Sequence, residues 1–423
     1  MRRSYSYRPS LERLEERATP ASVQLAAGHL IIRNPVGSLS VTHLGGGTFQ
    51  VVDGATNVVV SGIGTSVNIF GSNLNDLIVF NANNPFGGRL LISAGNGNDT
   101  VVTVGTVGGN AVVLPGLGND VHTAANFTVG GNLTLADTGG VNTFQMTGNV
   151  TVGGSFSATG YSVFRLNNSK LTVGNALTVS SPVSAVPLTF QGHAAAQLEV
   201  GGNWTVRGFA GADRILFAGK ANVNGNTFWT LGDGANQVSF TPATASTLAG
   251  NLYLKTGVGD DRVLLNGDLT IGGEATIDLD FGTNQLRFGL AGNLQANGNW
   301  RINVGNGLGN NLLSGAGTTF YGNVTITQGN GNGNSTTLNQ APAGTLTFRG
   351  GNGSGTTLTL NAGEVTINAR FGNSFAPGSN LFDLSGGLTA LRGLVQGSNF
   401  PQANLLNQGL ALLQDIRLIG FPS

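Results

Sequence analysis

The sequence predicts an all-β fold, a right-handed parallel β-helix (β-solenoid) of about 14 coils closed by a short helical cap at its C-terminal end. Three observations predict it. A seven-residue unit returns in altered spelling, as Gly-Ala-Asp-Arg-Ile-Leu-Phe at 211–217, Gly-Ala-Asn-Gln-Val-Ser-Phe at 234–240, Gly-Asp-Asp-Arg-Val-Leu-Leu at 259–265 and Gly-Thr-Asn-Gln-Leu-Arg-Phe at 282–288. Its last residue advances in steps of 23, 25 and 23 residues (217, 240, 265, 288), within the period range of solenoid repeats. Finally, glycine and asparagine rather than charged residues punctuate the copies: there are 69 glycines, and Asp, Glu, Lys and Arg together make up 9% of the chain.

Each part of the unit has a physical role. Glycine turns a tight corner and Asp or Asn tolerates left-handed backbone while bonding its neighbours, so the first three residues form a turn. The next four alternate in hydrophobicity as a strand does, which sends Ile215 with Phe217, Val238 with Phe240, Val263 with Leu265 and Leu286 with Phe288 to one side. Upstream, Phe144, Phe164 and Phe190 continue the Phe217 position in steps of 20, 26 and 27 residues. The expectation is one interior column of Phe144, Phe164, Phe190, Phe217, Phe240 and Phe288.

Composition narrows the function. A hydrophobic fraction of 40% with regular β-branched runs supports a core rather than disorder. The net charge is zero and no basic stripe stands out along the chain, so nucleic acid is not an expected partner. Cysteine is absent, which removes disulfides, thiol nucleophiles and thiolate metal sites together. No transmembrane segment is expected, and the tail is too short for a membrane barrel.

In chain order, residues 1–21 carry Arg2, Arg3, Arg8, Arg13 and Arg17 against Glu12, Glu15 and Glu16, with no apolar h-region behind them. Leu14-Glu15-Glu16-Arg17 with Thr19-Pro20-Ala21 resembles the short Leu-Glu-x-Arg sorting motif found at the start of large secreted or surface repeat proteins of bacteria. Glu16 departs from the Pro or Asp commoner at its position. The resemblance implies export, and 1–21 is expected to be a sorting segment; its alternative is a short solvated helix over 10–17.

Residues 22–370 are expected to form the β-helix, with strands at 29–32, 76–80, 90–92, 101–104, 111–114, 345–348, 356–360 and 365–367. A second phrase, Gly-Asn/Asp followed by three alternating residues, recurs at 131–135, 148–152, 202–206, 267–271 and 322–326, which reads as two strand phrases per coil. Pro182 and Pro187 predict an irregular coil over 182–196, and the Gly-Asn run at 329–335 a flexible corner. Residues 371–423 form a cap region, where Leu405, Leu406, Leu410, Leu413 and Ile416 fall at helical spacing and predict an amphipathic helix over 402–416.

Candidate chemistry is sparse. Gly95-Asn96-Gly97-Asn98-Asp99-Thr100-Val101 and 257–263 resemble the RTX nonapeptide, with 116–120 a third copy in which His122 takes the apolar place. That resemblance implies calcium at Asp99, Asp120 and Asp261. Against it, 99 and 120 are 21 residues apart rather than a multiple of nine, and Asn replaces Asp in many coils. A structural corner ladder of Asn and Asp is therefore the expected role. Lys255, Asp260, Asp261, Arg262 and Asp268, with Asp278 and Asp280, form the densest charged cluster and are the residues a carbohydrate-cleaving β-helix would use. His29, His43, His122 and His193 lack metal-ligand spacing. Trp204, Trp229 and Trp300 are expected to be buried rather than to stack sugars. No catalytic residue and no cofactor is expected. The reading is an exported, non-enzymatic surface protein, structural or adhesin-like, extracellular or at the cell surface, with surface polysaccharide or other surface proteins as partners. Its alternatives are a β-helix polysaccharide lyase or hydrolase, or a calcium-stabilised RTX-like secreted protein.

Overall fold

The computed structural model describes residues 21–181, 186–361, 363–372, 380–383, 388–396 and 413–419. Among them there is no helix. The chain coils into a parallel β-solenoid of about 13 turns between Ser66 and Leu360, continued by Gly363–Arg370 and Leu388–Gln396.

The coil starts from antiparallel strands. Ser22–Ala26 pairs with His29–Arg33 across a two-residue loop, Ala27 and Gly28, both at positive φ (48° and 79°) as a tight hairpin turn demands. Ser38–Gly45, Thr48–Asp53 and Thr56–Val60 form an antiparallel meander. His29–Arg33 and Ser38–Gly45 then each offer their second edge to the first parallel strands, Ser66–Phe70 and Leu77–Phe86. These hairpins occupy the strand edge that the first coil would otherwise leave unpaired.

From residue 133 to 320 every turn has three short strands, exemplified by Trp204–Arg207, Arg214–Phe217 and Lys220–Val223, stacked in parallel on Thr227–Thr230, Gln237–Phe240 and Ser246–Leu248. We call the three stacks the first, second and third faces. In the earlier turns the second and third faces are one bent strand: Val121–Val129 pairs through 121–124 with Thr143–Met146 and through 127–129 with Val150–Val152, bending at Asn126 (φ 47°). The expectation of two strand phrases per coil is thus corrected to three. The phrases at 131–135, 202–206 and 322–326 lie on the first face and those at 148–152 and 267–271 on the third, because both faces follow a Gly-Asn corner and bury residues one and three of the strand.

The interior is filled by those alternate residues, and all four pairs expected to point inward are 2% exposed or less. The single phenylalanine column is corrected. Phe144, Phe164 and Phe190 are in register, but Phe190 sits beside Ile215, and Phe217 sits beside Gly192. The true step is 25 residues, from 190 to 215, rather than 27. Gly192 has no Cβ, and one placed there would lie 2.4 Å from the Phe217 ring, so the aromatic stack changes columns at this glycine. Ring contact survives the change, since Phe190 and Phe217 are 6.3 Å apart and Phe217 stacks on Phe240 at 5.6 Å and 14°. Trp204 and Trp229 pack against Phe240 and Trp300 against Phe288, all three indoles fully buried.

Of the two irregular stretches, residues 182–185 lie outside the description and a strand resumes at Thr189–Gly192. The corner at 329–335 is tied: Asn334 donates from Nδ2 to the carbonyls of Gly329 and Gly331. Residues 1–20, and with them all but one residue of the sorting segment, lie outside the described residues. So does most of the tail helix; its last four positions, 413–416, are instead part of the strand Leu413–Ile419, paired in parallel with Leu388–Gln396. Laid along the open edge of Leu388–Gln396, the extended stretch supplies partners to that strand's outward N–H and C=O groups, which a helix cannot do.

Candidate functional site

The Asp or Asn of the repeat unit sits at the corner that leads into the second face, buried among the turns. Its Oδ1 accepts the backbone N–H of the equivalent residue one turn earlier. Asp76 donates to Asp99 at 2.7 Å, Asp99 to Asp120 at 2.7 Å and Asp120 to Asn142 at 2.8 Å. After a break the series resumes, with Asp213 donating to Asn236, Asn236 to Asp261, Asp261 to Asn284, Asn284 to Asn310 and Asn310 to Asn334, all between 2.7 and 3.0 Å. This is the expected corner ladder. Corner N–H groups would otherwise be buried without a partner, at a cost of about 1 to 3 kcal/mol each. A second, exposed ladder runs along the corner before the first face in the opposite sense, with Asn110 accepting from Asn132 and Asn132 from Ser155.

The three calcium candidates are rungs of the buried ladder. Asp99 and Asp120 are on adjacent turns and Asp261 is several turns away, each with Oδ1 already bonded. Among the described residues no three acidic or histidine side chains gather as a metal ion would need. The His122 of the third RTX-like copy points into the core, contacting Thr103 Oγ1 at 3.0 Å and the edge of Phe144, with its pKa pushed down to about 3 by burial.

Only one carboxylate oxygen is needed by the ladder, so Asp and Asn take the same seat, but they differ at the second atom. Asn236 uses Nδ2 to bond the carbonyls of Gly232 and Gly234, closing its own corner. Oδ2 of Asp99 is buried with no donor. Burial raises the pKa of Asp76, Asp120, Asp213 and Asp261, and lifts Asp99 to about 6, further pushed by its neighbours Asp120 and Asp76. Asp137, desolvated beside Asp120 and hydrogen-bonded to it side chain to side chain, rises to about 7. Two carboxyls bonded to each other share a proton. A carboxyl whose folded pKa exceeds its unfolded value of 3.8 binds its proton more tightly when folded, so its contribution to stability is complete below that value. The contribution is lost as pH rises through about 6 for Asp99 and about 7 for Asp137. The turns from Leu77 to Ala136 are accordingly expected to melt earlier at pH 8 than at pH 4.5. Asp99→Asn, which keeps the acceptor and adds the corner-closing amide, should raise stability at pH 8 by about 1 to 3 kcal/mol and leave it nearly unchanged at pH 4.5. Thermal melts of the two proteins at both pH values read this directly; an equal gain at both would assign the effect to hydrogen bonding alone.

The charged cluster does not converge. Lys255 and Asp278 are neighbours on the first face, Asp261 is buried at the next corner with Asp260 exposed beside it, Arg262 points outward from the second face, and Asp268 lies at the corner before the third. Asp233, Asp260, Asp268 and Asp280 each accept a backbone N–H, from Val258, Thr283, Asn293 and Phe281.

What the sequence does not display is a one-sided charge distribution. The outward positions of the second face from Thr143 to Leu360 include Arg165, Arg214, Arg262 and Arg287, all exposed, and no acidic residue. Residues between these arginines in the same two columns are Thr189, Gln191, Gln237, Gln285, Ser239, Leu216 and Leu264. Some cations on the other faces have acidic neighbours, as in the Lys170–Glu199 pair at 2.9 Å and the adjacent Lys255 and Asp278, whereas Arg207 and Arg301 on the first face lie among Ser and Thr and Arg349 lies beside Arg370. Arg262 and Arg287 border a shallow depression of about 320 Å³ whose walls include Gln237, Leu264, Gln285 and Leu290. The signal was present in the sequence only as register: the arginines are 49, 48 and 25 residues apart, and solely the stacking of turns brings them to one face.

The chain matches no family model, no curated protein and no solved structure.

Proposed function

We propose that the chain is an exported, non-enzymatic rod of the cell surface, structural or adhesin-like. The observation that supports this reading is the uninterrupted stack of turns: a body that grows along one axis and holds each turn through backbone ladders, Asx rungs and an apolar column. Such a body acts by reach and by the surface it presents along its length. Its polar side chains are largely occupied in joining one turn to the next, and charged residues are few. Asn, Thr and Ser, which dominate the outward positions, hydrogen-bond without titrating, as suits a protein facing an uncontrolled medium. Residues 1–21, with their resemblance to a sorting motif, supply the route.

Lys170, Lys220 and Lys255 are accessible on the rod, so a membrane-impermeant amine reagent applied to intact producing cells is expected to label the protein. Fusing residues 1–21 to a reporter should carry the reporter out of the cytoplasm. Protein that is labelled only after lysis, with a reporter wholly cytosolic, contradicts the proposal.

A further inference from the structure

We infer that the second face is a docking track for an extended anionic polysaccharide carrying about one carboxylate per disaccharide. The choice of a glycan rests on the surface reading above, whereas the track itself rests on geometry. With turns about 4.8 Å apart and about 3.3 Å per residue along a strand, Arg165, Arg214, Arg262 and Arg287 follow one another at roughly 8 to 12 Å. They climb the face from the turn of Val163–Leu166 to that of Gln285–Phe288.

Four like charges on one flat face repel one another, and no carboxylate within ion-pair distance relieves them among the described residues. A linear polyanion laid along the axis does so. The rows between the arginines fit sugar rather than solvent alone: Gln191, Gln237, Gln285 and Ser239 offer donors and acceptors for hydroxyls, and Leu216 and Leu264 offer apolar contact for ring C–H groups. The depression between Arg262 and Arg287 gives one sugar unit a partly enclosed seat. Nucleic acid fits less well. Its charges are far denser, at one per about 1.7 Å of duplex, and single strands bind through exposed aromatic platforms, while every aromatic ring of the second-face strands from Phe144 to Phe288 is buried. Guanidinium groups, being planar forks, match carboxylates two bonds at a time, which favours a uronate over a neutral sugar.

The test uses the purified full chain and a hyaluronan decasaccharide, a polymer with one carboxylate per disaccharide, followed by calorimetry at low and at physiological salt. Binding that weakens with added salt is expected. The variant Arg214→Gln/Arg262→Gln/Arg287→Gln, which extends the glutamines already present on neighbouring turns and so leaves the ladders intact, should lose at least tenfold in affinity. The control Lys170→Gln/Lys220→Gln, on the third face, should stay within twofold. A neutral dextran oligomer should not bind. Absence of hyaluronan binding, equal losses in both variants, or tighter binding of a single-stranded DNA oligomer overturns the inference, the last in favour of nucleic acid. None of these results bears on surface labelling of intact cells, so the track and the surface rod fail separately.

Discussion

Truncation of Phe240 to alanine is expected to cost about 3 to 5 kcal/mol. The Phe240 ring stacks on Phe217 at 5.6 Å and lies 5.5 Å from Trp229 and 6.2 Å from Trp204, so its removal opens a cavity at the centre of the densest aromatic cluster. The surrounding rings are held by parallel strands on both sides and have little freedom to collapse into the gap. Denaturant titration followed by tryptophan fluorescence reports on this region, because two of the three indoles line the cavity. A shift in midpoint equivalent to less than 1 kcal/mol would mean that the cluster relaxes as a liquid does.

A gain of one methyl group is expected to be nearly as damaging at Gly118. Its φ is +139°, and a Cβ there would stand 1.8 Å from the carbonyl oxygen of Gly97 on the preceding turn. That neighbour is backbone, so relief requires the two turns to part at the corner where Asp99 bonds Asp120. Gly118→Ala should therefore cost about 3 kcal/mol or more, from backbone strain together with the weakened rung. Gly64 is the matched control, with nothing within 4 Å of its Cβ position and no left-handed φ; Gly64→Ala should change stability by less than about 0.5 kcal/mol. Equal melting temperatures for the two variants would show that the corners are not in close contact.

The repeat unit, its inward pairs and its Asx rungs were legible because each is local: a glycine, an Asp or Asn and an alternating tetrapeptide determine corner, ladder and strand within seven residues. Three faces instead of two were not legible, since strands of the first and third faces share one spelling, apolar at positions one and three after a Gly-Asn corner. The shift of the aromatic column at Gly192 was hidden for a related reason: counting from phenylalanine to phenylalanine measures the period correctly only while the rings stay in one column. The opening hairpins alternate as the parallel strands do, and pairing direction leaves no mark on such short stretches. Asp99 looked interchangeable with asparagine because the rung uses a single oxygen; the difference lies in its buried second oxygen, which has no partner once the turns are packed. The basic face was invisible for want of register.

Every turn is held mainly by the turns directly above and below it. Hydrogen exchange measured peptide by peptide on Phe240→Ala tests it most directly. Protection should fall in the adjoining strands, from Trp204–Arg207 to Arg262–Leu265, and stay at the level of the unsubstituted protein around Leu90–Val107 and Trp300–Phe320. Uniform loss along the whole chain, or full protection around position 240, would contradict it.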